Sequence, residues 1–220
     1  YLLITLKPYI FFALLPGSLV WLSFNIAAKI HSKILRNIVV PFFLAGGVAM
    51  SIFALNQMGD VLGKYKMDSV LERAVLVNQD QKQEYYGGNS FDIGEYDPTL
   101  TGVIGKAHLA ITAALFRPFL WEIKNVMMLL SAIENTYILL LTIFLLIRLK
   151  IIGFIGLVVK NPLLFFSVLF SLFFSFSIGL ATSNFGSLVR LKIPGIPFYV
   201  ASLFILKYFY DQKSKKKRRA

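Results

Sequence analysis

The chain has 220 residues, 57% of them hydrophobic, with 21 Phe, no Cys and a net charge of +12. Soluble domains seldom exceed about half apolar, and here the mean hydropathy is +0.69, with the apolar residues in long blocks that exclude an ordinary soluble fold. The class expected is therefore an all-α, polytopic helical membrane protein.

A membrane span needs about 20 apolar residues. The first predicted span runs from Pro8 to Ala28 and is followed by a basic loop with Lys29, Lys33 and Arg36. The second runs from Asn37 to Gly59, so residues 1–59 form a pair of spans around that loop. The chain opens at Tyr1 inside an apolar run that lacks the pattern of a signal peptide, and further sequence is expected before it.

Residues 60–125 form a near-neutral segment with nine acidic and seven basic residues. Within it, "DSVLERAVLV" places Val70, Leu71, Ala74 and Val75 at helical spacing, with Asp68 as a possible N-cap. "YYGGNSFDIGEYDPT" reads as loop. "KAHLAITAALF", Lys106 to Phe116, is apolar but too short to cross, which predicts an interfacial or re-entrant helix.

Residues 126–210 hold three further spans: Val126–Ile147, Asn161–Ser183 and a short one over about Ile193–Phe209. Pro162 suits a first helical turn. "IIGFIGLVV", residues 151–159, is too short to cross and reads as interfacial. Residues 211–220 are a basic tail in which Lys213, Lys215, Lys216, Lys217, Arg218 and Arg219 crowd together. Such a run beside a span is a topology signal and a contact for anionic lipid, which argues against a nucleic-acid partner. With the tail in the cytoplasm, the loops 29–36 and 148–160 also fall inside, and residues 60–125 fall outside. That order predicts a multi-pass protein of about five spans with a cytoplasmic C-terminus.

The polar residues gather at the expected outer side. "LFRPFLWEIKN" sets Arg117, Glu122 and Lys124 among Pro118 and three aromatics. Pro118 favours an extended Arg117 and a helix starting at Pro118, with Glu122 in its first turn. The stretch is either an interfacial anchor, with Arg117 and Lys124 meeting lipid phosphates, or the lining of a site. In the next span Ser131, Glu134, Asn135, Ile138 and Thr142 form a mostly polar stripe. Glu134 lies about two turns inside it, where an ionisable group faces protein or a water-filled cavity. Asn184, Arg190 and Lys192 follow the fourth span on the same side. Cations with a few carboxylates and aromatics suit a phosphorylated or sugar-bearing substrate at the lipid surface.

Ser167, Ser171, Ser175, Gly179 and Ser183 recur every four residues, which predicts a close-packing helix face. Asp92, Glu95 and Asp97 lack the spacing of a calcium loop. His31 and His108 have no metal-ligand partner at useful spacing, and no phosphate-binding Gly-rich loop is present. Neither a metal nor a cofactor is expected.

"LFRPFLWEIKN…LSAIEN" and "SNFGSLVRLKIPGIPF" resemble stretches of bacterial inner-membrane proteins of surface-polysaccharide assembly, the O-antigen polymerase-like and ligase-like group. The resemblance covers roughly residues 85–200. It implies chemistry at the periplasmic face on a polyprenyl-diphosphate-linked glycan, with Arg117 and Arg190 as counterparts of the arginines that engage the diphosphate. The large periplasmic loop and catalytic His of the ligases are not evident.

Three functions remain open. In a polymerase-like glycosyl transfer, Arg117, Lys124, Asn184, Arg190 and Lys192 would bind substrate, and Glu122 or Glu134 would act as general base. In a non-enzymatic subunit of a secretion, export or other envelope complex, the same charges would pair with each other or with another chain. In a secondary transporter, Glu134 would carry protons or ions. The partners expected are membrane lipid, a polyprenyl-linked glycan and other membrane-protein chains or a preceding part of the same protein.

Overall fold

In a computed structural model, residues 8–28, 67–83 and 89–219 are described. The second expected span and the basic loop before it lie outside these residues. The described elements are α1 (Pro8–Ala28), α2 (Met67–Asp80), α3 (Leu100–Gly105), α4 (Ala107–Phe116), a 3₁₀ turn at Leu120–Glu122, α5 (Val126–Lys160), α6 (Pro162–Ala181), α7 (Phe185–Leu191) and α8 (Ile196–Arg219). Among the described residues there is no strand, only an isolated antiparallel bridge between Ser90 and Asn184.

The chain is an all-α membrane protein. The helices α5 and α6 are long and apolar enough to cross a bilayer, and α7 with α8, bent by 67° at their junction, makes a third candidate span. The helix α1 forms over the expected 21 residues without a charged side chain and packs along α6.

The helix α6 is the hub: α1, α2, α4, α5, α7 and α8 all contact it. Its small-residue face explains why. Ser171, Ser175, Gly179 and Ser183 are buried, and a methyl group on Gly179 would lie 2.1 Å from the carbonyl oxygen of Ala110. The partner is α4, which buries Ala110, Ala113, Ala114 and Leu115. The short apolar helix expected at the interface is thus packed into the bundle. Backbone-to-backbone approach of this kind requires small residues on both helices.

Capping residues set the helix boundaries. Asn125 accepts from the Met128 N–H at the start of α5, and Asn161 accepts from Leu163 and Leu164 at the start of α6. Within α5, Lys150 has φ 57° and ψ 156°, which divides a long helix ending at Leu149 from a short one over 151–160. The expected interfacial segment is that short helix. At the α7–α8 junction, Pro194 and Pro197 supply no amide hydrogen and break the ladder. Gly195 lies so close to the Phe174 ring that a methyl group would sit 2.6 Å from it.

The chain before α3 ties down the far end of α6. Asn78 Nδ2 and the Tyr96 hydroxyl both donate to the Leu180 carbonyl, at 3.1 and 2.8 Å. Ser183 Oγ donates to the Asn78 carbonyl, and the Ser183 and Asn184 amides share Gln81 Oε1. The last carbonyls of a helix have no partner within it, and α2 with the 89–97 loop supplies one. Burial pushes the Tyr96 phenol up to about 12, so it stays a hydrogen-bond donor across the physiological range.

Candidate functional site

The geometry of this region starts from backbone shape, because Arg117 closes α4 in an extended conformation, φ −90° and ψ 152°. The Arg117–Pro118 peptide is cis. The expected helix does not begin at Pro118. Instead the 3₁₀ turn follows Phe119, and α5 begins after the Asn125 cap. Glu122 Oε2 accepts from the Phe119 amide at 2.9 Å, which stabilises the start of that turn.

The same carboxylate holds Arg117. Nη2 of Arg117 lies 2.6 Å from Glu122 Oε1, with the two side chains 23% and 15% exposed. Nη1 donates to the Asp92 carbonyl at 3.2 Å. The guanidinium carbon lies 5.1 Å from the Phe91 ring centre and 5.9 Å from that of Phe119. Arg117 Nε is buried with no hydrogen-bond partner among the described residues.

The Arg117 carbonyl is a second junction. Asn135 Nδ2 donates to it at 2.8 Å and Lys192 Nζ at 3.3 Å. Lys192 Nζ also donates to Asn135 Oδ1 at 2.5 Å. Lys192 is 6% exposed and Asn135 1%. A buried ammonium needs such acceptors. One cluster therefore joins the end of α4, the inner face of α5 and the α7–α8 junction.

The expected polar stripe on α5 divides. Asn135, Ile138 and Thr142 face inward, and Thr142 Oγ1 and the Tyr199 hydroxyl are hydrogen-bonded at 3.1 Å. Glu134 is exposed on the adjoining face.

The remaining candidates act locally. Asn184 caps α7 by accepting from the Ser187 amide at 3.2 Å. Arg190 is exposed and donates from Nε to the Gly186 carbonyl in its own helix at 2.9 Å. Lys124 is exposed and follows, in sequence, Phe119 and Trp121, whose rings stack with centres 4.7 Å apart. Thus the structure joins Arg117, Glu122 and Lys192, and leaves Glu134, Lys124 and Arg190 at exposed positions.

Sequence reasoning did not single out Asn78, Gln81 or Tyr96. Their hydrogen bonds span about a hundred residues, and no local pattern marks such partners. They adjoin a cleft of about 110 Å³ lined by Val75, Asn78, Gln79, Lys82, Gly94, Glu95 and Tyr96. In its wall Lys82 Nζ lies 2.5 Å from Asp92 Oδ1. Among the described residues no group of three or more His, Asp or Glu side chains is placed to hold a metal ion.

Comparison with protein-family models, with curated proteins and with solved structures gives no match.

Proposed function

We propose that the chain is a non-enzymatic membrane subunit of a larger bacterial envelope assembly, seated in the inner membrane with its basic C-terminus in the cytoplasm. The observation that carries this reading is the Arg117–Glu122 ion pair at 2.6 Å. A cation meant for a diphosphate, or a carboxylate meant to take a proton from an acceptor, works poorly when each neutralises the other. The Arg117 carbonyl, held by Asn135 and Lys192, serves the same end of joining helices.

Glu134 adds support. It lies about 12 Å along α5 from Val126 at 1.5 Å per residue, yet it is exposed. A carboxylate facing lipid at that depth costs a few kcal/mol, so a neighbouring protein surface suits it better. Polymerase-like chemistry on a polyprenyl-diphosphate-linked glycan would rest mainly on Arg190, whose guanidinium is exposed.

Titration of the purified chain in micelles with a polyprenyl diphosphate, read by native mass spectrometry, tests the proposal. A subunit of this kind shows no saturable binding that depends on Arg117 or Arg190. Saturable binding lost in both R117Q and R190Q would overturn it in favour of the glycan-lipid reading.

A further inference from the structure

At the opposite end of the spans from Arg117, α5 turns at Lys150. A φ of 57° with ψ near 156° belongs to a region occupied almost solely by glycine. The short helix 151–160 beyond this elbow has two unlike sides. Phe154, Leu157 and Val158 join a core with Leu149, Leu206 and Phe209. Ile151, Ile152 and Ile155 point away, at 66%, 87% and 54% exposure.

The charges around that apolar side are all of one sign. Arg148, Lys150 and Lys160 are exposed, and the sequence has no acidic residue between Glu134 and Asp211. Asp211 is itself paired with Lys207 at 2.8 Å. The C-terminal end of α8 comes to the same place, since Phe144 meets Tyr210 edge-on and Arg148 lies over Phe144. The exposed Lys213 and Lys215 follow on that helix.

We propose that this elbow is a binding site for anionic phospholipid. The exposed isoleucines enter the acyl region at headgroup depth, while Arg148, Lys150 and Lys160 engage the phosphates. An apolar helix face with cations at both ends is the arrangement that holds a helix in the membrane surface, and each cation adds to the attraction for anionic headgroups. Charge complementarity selects this occupant: a zwitterionic lipid satisfies the apolar face but leaves the cations without net counter-charge.

Trp21 and Trp121 are the two tryptophans of the chain, which permits a direct test. The full-length W21F/W121F/I152W variant would be reconstituted in phosphatidylcholine vesicles. These would carry equal fractions of either brominated phosphatidylglycerol or brominated phosphatidylcholine. Stronger quenching by the phosphatidylglycerol is expected, and each of R148Q, K150Q and K160Q should lower that preference about fivefold. R148K should retain it, and about 1 M salt should suppress it. Equal quenching by both lipids would overturn the proposal. So would quenching by neither, which would place protein over the isoleucines, and so would a preference unchanged in the neutralised variants. Unaltered quenching of those variants by brominated phosphatidylcholine shows that the elbow still sits in the membrane.

Discussion

The Lys192 ammonium lies 2.5 Å from Oδ1 of Asn135, 57 residues earlier in the chain, and both residues are buried. One side chain comes from the α7–α8 junction and the other from the middle of a candidate span. Their contact fixes how the broken helix pair meets α5.

Asn135→Ala leaves the Lys192 ammonium with the Arg117 carbonyl alone, and should cost about 2–4 kcal/mol. Lys192→Met removes the charge with its demand and should cost less. The double variant should recover part of the Asn135→Ala loss. Equilibrium unfolding in mixed micelles measures all three.

Gly179 tests the helix crossing at the hub. A methyl group there would meet the Ala110 carbonyl oxygen at 2.1 Å, and neither backbone can yield without parting α4 from α6. Gly179→Ala should destabilise the bundle by about 2–3 kcal/mol. Ser175→Ala, on the same buried face, should cost under about 1 kcal/mol. Comparable losses at the two positions would contradict this packing.

Lys150→Gly should raise stability by about 1–2 kcal/mol when measured in zwitterionic micelles, because glycine adopts the Lys150 backbone conformation without a side-chain clash. Lys150→Ala should bring no such gain. Equal effects would mean that the elbow carries no strain.

The Lys82 ammonium beside Asp92 holds the aspartate carboxyl below its ordinary value of 3.8, with help from the Gly94 amide. A carboxyl with a depressed folded-state pKa contributes stability that is fully present above 3.8 and is lost as pH falls through the folded value. Asp92 is 64% exposed, so the contribution should stay below about 1 kcal/mol. A carboxyl titration followed by NMR should show the Asp92 midpoint rising toward 3.8 in Lys82→Gln. An unmoved midpoint would contradict the pairing.

Much of the fold was legible in the sequence because membrane helices announce themselves by composition. Hydropathy alone bounds α1 at Pro8 and Ala28, and the four-residue recurrence that begins at Ser167 marks a largely buried face of α6, on which Gly179 meets Ala110 of α4. The candidate site was legible only in part. The spacing of Arg117 and Glu122 placed them near each other, but pairing and substrate binding ask for the same residue types. The division of the α5 stripe was hidden for a geometric reason. Glu134 and Asn135 are consecutive, and the 100° between them on a helix is enough to put one outside and the other inside. The Lys192–Asn135 and Tyr96–Leu180 contacts depend on how distant elements meet, which no local pattern encodes.

A double-mutant cycle on Arg117 and Glu122 bears most directly on the proposal that the polar residues at this end of the bundle hold helices together. Arg117→Gln, Glu122→Gln and the double variant would be compared by equilibrium unfolding in micelles. A coupling energy of about 1–3 kcal/mol is expected for an ion pair this well buried. A coupling near zero would show that Arg117 does not depend on Glu122, and would return its charge to the service of an external anion.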